Sequence, residues 1–187
     1  RDLSYLFSSQ CIAVMARSVA RIGRYVDAGV EKAKQEAPAG FEVGKFINLK
    51  TKTQIGDPDP DIMVEYSHIF LQKIGLIKYS SAFVFFPGGF GTLSLLFEVI
   101  TLIKTKKLAP VPLILAGERF WRPWHDFIIN TLLAHHLIGE DGPFLYTITR
   151  ANAKEILRAI NDLYAKKSNG TFFPPRKIGR ASCRERV

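Results

Sequence analysis

A short apolar run followed by a cluster of glycines limits what this chain can fold into more than any other feature. Residues 82–86 read AFVFF, a continuous apolar stretch of the length expected for a strand that is buried on both faces. Residues 87–92 read PGGFGT, and glycines let the backbone turn sharply and approach a ligand closely. Residues 93–104 have helical character. A strand, a tight turn and a helix in this order are typical of an α/β domain.

The same turn predicts a site for a phosphate group. The first N–H groups of a helix have no intrahelical partner and carry the positive end of the helix dipole, so they bind anions. Thr92 can cap the helix or donate its hydroxyl to a phosphate oxygen. A tight turn without a ligand is the alternative, and the motif is neither a Walker A loop nor a complete GxGxxG fingerprint. The predicted phosphate-binding residues are Gly88, Gly89, Gly91 and Thr92.

Elements of helical and strand character alternate along the rest of the chain. Periodicity predicts helices over residues 12–37, 62–79, 121–137 and 151–164, and strands over residues 43–49, 111–116 and 144–148. A break of the first helix near Gly23 is the alternative. This alternation predicts an α/β fold, Rossmann-like and three-layered, with a mostly parallel sheet flanked by helices. Ligands of such sheets bind beyond the carboxyl ends of the strands, which is where the glycine turn lies.

Length and composition favour one nucleotide-binding domain, predicted over residues 1–176. The chain has 187 residues, of which 47% are hydrophobic, and this suits a single core. No apolar stretch reaches the roughly 18 residues that a membrane span needs, so no membrane association is expected. The chain begins at Arg1 without a signal pattern, which favours a cytoplasmic protein whose natural start is missing or divergent.

Residues 177–187 are predicted to be a non-native tail. They follow two prolines, lack apolar periodicity, and closely resemble the translation of a sequencing-adapter DNA joined in frame; a genuine basic tail is the alternative. Without them the net charge falls from +9 to +6. The basic charge is therefore weak support for binding nucleic acid, and no nucleic-acid partner is predicted.

Residues that could bind metals follow no metal-site pattern. Cys11 and Cys183 match no known spacing, and Asp57, Asp59 and Asp61 lack the full calcium-loop pattern. No metal and no cofactor are predicted. The histidines also lack a partner pattern: His68 either faces the site or lies at the surface, and the others are interpreted as structural. These are His125, His135 and His136.

Two stretches around the glycine turn resemble the PGGxGTxxE region of the LOG family. They are FPGGFGTL (86–93) and FEVITLI (97–103), and the similarity extends upstream through SHIFLQKIGLIKYS (67–80). The family, once labelled as lysine decarboxylases, hydrolyses nucleoside 5′-monophosphates such as AMP and cytokinin ribotides to the free base and ribose 5-phosphate. The resemblance implies a Rossmann-like fold, a nucleoside monophosphate ligand and a homodimer.

The chain departs from the family pattern where the family's catalytic residues stand. The resemblance places a catalytic Glu at position 95, which is Leu95 here, and a catalytic Arg at position 72, which is Gln72. It makes Gln72 and Lys73 substrate-binding candidates, although Lys73 can equally be a solvated charge. Glu98 is the nearest carboxylate and the candidate catalytic residue, with a supporting role as its alternative. The family's first glycine motif survives here as Gly23 alone, and no N-terminal strand is evident.

Two functions follow from this pattern. The first is a LOG-type phosphoribohydrolase, with N-glycosidic hydrolysis weakened by the changes at positions 72 and 95. The second is a catalytically inactive nucleotide-binding module that keeps the phosphate turn. A dinucleotide-binding domain is disfavoured because the glycine fingerprint and its acidic ribose partner are missing.

Overall fold

The computed structural model describes residues 2–8, 14–17, 20–38, 44, 46–51, 61–140 and 145–168. The described residues divide into two compact units, one that ends at residue 80 and one that begins at residue 81. Both are α/β, with parallel sheets and flanking helices, which confirms the predicted Rossmann-like fold class. The predicted tail at residues 177–187 lies outside the described residues, and the single domain over residues 1–176 stays a prediction.

The first unit contains a three-stranded parallel sheet in the order β1-β2-β3. Its central strand places Asn48 opposite Ala16 on one side and opposite Met63 on the other. Its elements, in chain order, are α1 (Asp2–Ser8), β1 (Val14–Arg17), α2 (Ala20–Glu36), β2 (Phe46–Thr51), β3 (Ile62–Tyr66) and α3 (Ile69–Tyr79).

Charged side chains join α2 to the start of β3. The Nζ of Lys34 lies 2.6 Å from Asp61 Oδ1 and 2.5 Å from Glu31 Oε1. Partial burial disfavours the charged ammonium, but hydrogen bonds to Asp61 and Glu31 outweigh it and raise the pKa of Lys34. The Lys34–Asp61 ion pair therefore connects α2 to the residue that precedes β3.

The second unit contains another three-stranded parallel sheet, in the order β4-β5-β6. Its central strand is its core, since all four residues of β5 are completely buried. A π-helix (Ile128–Leu133) continues α5. The main elements are β4 (Phe83–Phe85), α4 (Phe90–Lys104), β5 (Leu113–Ala116), α5 (Glu118–Phe127), β6 (Thr147–Thr149) and α6 (Ala153–Ser168).

The helices and strands predicted for the second unit are confirmed apart from their ends. Phe83 and Phe85 are 6% and 4% exposed, so the apolar run is a core strand. The helix after the glycines begins at Phe90 rather than at residue 93. That shift makes Gly91 and Thr92 part of the first helical turn.

Two predictions for the first unit are wrong. Residues 12–37 were expected to be helical, but Val14–Arg17 form β1 and pair with β2, so an N-terminal strand is present. Residues 62–79 were also expected to be one helix, but Ile62–Tyr66 form β3. Gly23 lies inside α2 and does not break it. None of the helices in the described part of the chain has the length and apolar composition that crossing a membrane requires.

Candidate functional site

The glycine turn joins the carboxyl end of β4 to the first turn of α4. Gly89 is the N-cap residue, and its carbonyl accepts hydrogen bonds from the N–H groups of Thr92 (3.0 Å) and Leu93 (3.1 Å). Thr92 is therefore not the cap, because it lies inside the helix. Donation by its hydroxyl to a phosphate oxygen stays a prediction.

The first two glycines of the turn serve different purposes. A Cβ at Gly88 would lie 2.2 Å from Thr92 Oγ1 and 2.8 Å from Thr92 Cβ, so the threonine side chain occupies the space that another residue would need. A Cβ at Gly89 would meet nothing within 4 Å. Gly88 thus allows close packing within the turn, while Gly89 borders open space where a ligand can approach the backbone.

The end of β5 lies against the same turn. Gly117 has a φ of 110°, a backbone conformation that side-chain-bearing residues rarely adopt, and a Cβ there would lie 3.1 Å from Pro87 Cγ. The N–H of Gly117 donates to the carbonyl of Thr149 at 2.9 Å. The ends of all three strands of the second unit's sheet therefore meet at one edge, beside the glycine turn.

Farther along α4, position 95 belongs to the core. Leu95 is 9% exposed, and it shares the buried face of the helix with Leu96, Val99 and Ile103. Glu98, one turn later, is partly exposed. The predicted carboxylate candidate thus lies on the helix that starts at the glycine turn, whereas Leu95, where the resemblance implies a catalytic Glu, cannot exchange protons.

Gln72 and Lys73 lie on α3 in the first unit. Gln72 is completely buried, and its Nε2 donates to the carbonyl of Leu49 at 2.6 Å, which ties α3 to β2. Lys73 is partly exposed. A neutral amide can hydrogen-bond within the core at low cost, whereas a guanidinium there would need compensating charges. The assignment of both residues to substrate binding stays a prediction.

An aromatic cluster on α4, α5 and the segment before β6 was not predicted from the sequence. Trp124 contacts Phe97, Trp121 and Tyr146, with ring centroids 5.8, 5.8 and 5.1 Å away. His125 Nδ1 lies 2.8 Å from the hydroxyl of Tyr146, and burial raises the pKa of Tyr146 to about 12. These contacts fit the structural interpretation of His125. Local periodicity could not show the cluster because its members come from three separate segments.

Two further polar candidates that the structure describes, His68 and Asp61, have separate partners. His68 precedes α3 and stacks on Phe70, with the ring centroids 5.6 Å apart. Asp61 pairs with Lys34, while Asp57 and Asp59 lie outside the described residues. In the described ranges, no three His, Cys, Asp or Glu side chains are grouped so that they could hold a metal ion.

Comparison with known proteins gives a family match over most of the chain. The model of a family described as "possible lysine decarboxylase" matches residues 24–160. This range includes α3, the glycine turn and the aromatic cluster. A search of curated proteins found no match.

Proposed function

The chain belongs to the possible lysine decarboxylase family, which includes the LOG proteins, and we propose that it binds a nucleoside 5′-monophosphate through the glycine turn. One observation carries the proposal: the start of α4 faces open space at Gly89. The positive end of the helix dipole lies there and favours an anion. The Thr92 hydroxyl, packed over Gly88, supplies a hydrogen-bond donor at the same turn.

The reaction of LOG-type enzymes is hydrolysis of the N-glycosidic bond. Its transition state has a cation-like sugar, which a nearby carboxylate stabilises or supplies with an activated water, by analogy with glycoside hydrolysis. A cation on the substrate orients it and offsets charge. Leu95 can do no acid-base chemistry, and Gln72 cannot replace a bidentate arginine. We therefore propose that this chain hydrolyses its ligand slowly or not at all, with Glu98 as the candidate carboxylate for residual activity.

A nucleotide-binding module without catalysis is the second candidate. Two observations favour it: Leu95 is part of the apolar core of α4, and the Gln72 amide holds the Leu49 carbonyl. Both side chains contribute to folding in the positions where the family has its catalytic pair. Under this proposal the glycine turn serves only to bind the nucleotide.

The test is incubation of the protein with AMP and with an N6-modified AMP, followed by measurement of released base. Slow or absent release of the base, together with saturable nucleotide binding, supports the proposal. Release of the base at ordinary enzyme rates, about 1–10³ s⁻¹, refutes the proposal that hydrolysis is weakened. A double variant, Gln72→Arg with Leu95→Glu, should gain activity if these two changes alone account for the loss. Its folding must be checked in parallel, because both positions are buried.

A further inference from the structure

The first residue of α4 is the most exposed of the large apolar side chains in the described part of the chain. Phe90 is 93% exposed, and it stands between Gly89 and Gly91 at the glycine turn. A side chain that is this exposed adds almost nothing to the core, because hydrophobic stabilisation scales with the apolar area removed from water. Folding of the chain therefore does not account for a phenylalanine at this position.

Helix geometry directs the Phe90 side chain towards the ligand side of the turn. Cα–Cβ bonds of a helix tilt towards its N-terminus, and aromatic side chains there adopt rotamers that continue in that direction. Phe90 is the first helical residue, so the preceding turn that its ring would normally cover is the open glycine turn. We therefore expect the ring to border the open space at Gly89, which the proposed function assigns to the phosphate.

A ligand with an anionic group and a planar ring matches this pair of features. Aromatic side chains stack on every nucleobase, since each base presents a π-face. A phenylalanine has two side-chain torsions, so it loses little conformational entropy when it is fixed against a ligand. We propose that Phe90 stacks on the base of the bound nucleoside monophosphate and sets the preference for base-containing ligands. The inference rests on the proposed function, because it assumes that the phosphate occupies the glycine turn.

The experiment compares AMP with ribose 5-phosphate, which carries the same phosphate and sugar but no base. Binding of each is measured by titration calorimetry with the wild-type protein, Phe90→Ala and Phe90→Tyr. The control is Phe127→Ala, which removes a 48% exposed phenylalanine from the far end of α5. Phe90→Ala should weaken AMP binding about 5- to 150-fold and leave ribose 5-phosphate binding within twofold. Phe90→Tyr and the control should bind both ligands like the wild type.

The outcomes separate this inference from the proposed function. If the wild type binds neither ligand, the proposed phosphate site itself is wrong, and the role of Phe90 fails with it. The wild type can instead bind both ligands while Phe90→Ala leaves AMP binding unchanged, or weakens the binding of both ligands equally. Either result refutes stacking on the base and leaves the phosphate site standing. A loss of self-association in Phe90→Ala with unchanged AMP binding would instead show that a second copy of the chain covers the ring.

Discussion

At the scale of single residues, Gly88 and Gly89 form a natural pair for separating folding from binding. Gly88→Ala should destabilise the protein by about 1–3 kcal/mol, because its Cβ would lie 2.8 Å from Thr92 Cβ, which is fixed to the helix. Gly89→Ala should change stability by less than about 1 kcal/mol, since its Cβ meets no atom and its φ of −89° suits alanine.

Denaturant unfolding measures the stability of both variants, and AMP titration measures binding. Gly89→Ala should lose much of the AMP affinity despite its normal stability, because the added methyl group enters the space assigned to the phosphate. Equal AMP affinity in Gly89→Ala and the wild type would argue against a ligand at this position.

Tyr146 predicts how stability depends on alkaline pH. Burial raises the pKa of Tyr146 from 10.0 to about 12, so the folded protein keeps a proton that the unfolded chain releases. A raised pKa contributes stability that is complete below pH 10 and is lost as the pH rises towards 12, by about 1 to 3 kcal/mol in all once solvent screening of the hydroxyl is allowed for.

The comparison is between the wild type and Tyr146→Phe, unfolded in urea at several pH values from neutral to 12. The variant keeps the ring that packs on Trp124 and loses the hydrogen bond to His125, which should cost about 1 kcal/mol at neutral pH. Its stability should fall less steeply above pH 10. Parallel curves for the two proteins would show that Tyr146 ionises normally in the folded state.

At the scale of elements, the sequence predicted the glycine-turn unit well and the first sheet poorly. Residues 83–85 form a core strand, and a buried strand has a continuous apolar run that can be recognised in the local sequence. The strand β3 is different: Ile62 and Met63 are 40% and 44% exposed, and four of its five residues are apolar or aromatic without strict alternation. Its strand form depends on pairing with β2, from Ile47 opposite Ile62 to Thr51 opposite Tyr66. Such non-local hydrogen bonds leave no mark on local periodicity.

The candidate site shows the same division. The turn and its helix were predictable because glycines and a helix start have local signatures. The contact of Pro87 with Gly117, and the bond from Gly117 to Thr149, join segments far apart in sequence. The roles of Leu95 and Gln72 as buried side chains likewise required knowledge of what packs around them.

Gly117 lies between the glycine turn and the end of β6, at the carboxyl edge of the second unit's sheet. Gly117→Ala should destabilise the protein by about 1–3 kcal/mol, because alanine is strained at a φ of 110° and its Cβ would lie 3.1 Å from Pro87 Cγ. The measurement is the unfolding free energy relative to Gly89→Ala, the glycine variant without a steric conflict. Comparable stability of the two would show that the backbone at Gly117 relaxes freely.

At the scale of the whole molecule, we propose a homodimer, and the exposed apolar residues of α3 support it. Ile69, Phe70 and Ile74 are 51%, 55% and 49% exposed. Replacing Phe70 and Ile74 together by serine should shift the protein towards the monomer, measured by light scattering during size-exclusion chromatography. Exchanging Leu137 for serine, a 69% exposed residue outside α3, is the control. A double variant with the same molar mass in solution as the wild type would exclude this surface as the interface.

We propose that the chain as a whole binds a nucleoside monophosphate without ordinary turnover. The most direct measurement follows AMP in one reaction, with calorimetry for binding and chromatography for released adenine and ribose 5-phosphate. We expect saturable AMP binding that ribose 5-phosphate competes with, and adenine release at least several orders of magnitude below typical rates of about 10 s⁻¹. Adenine release at such rates, or the absence of AMP binding, would contradict it.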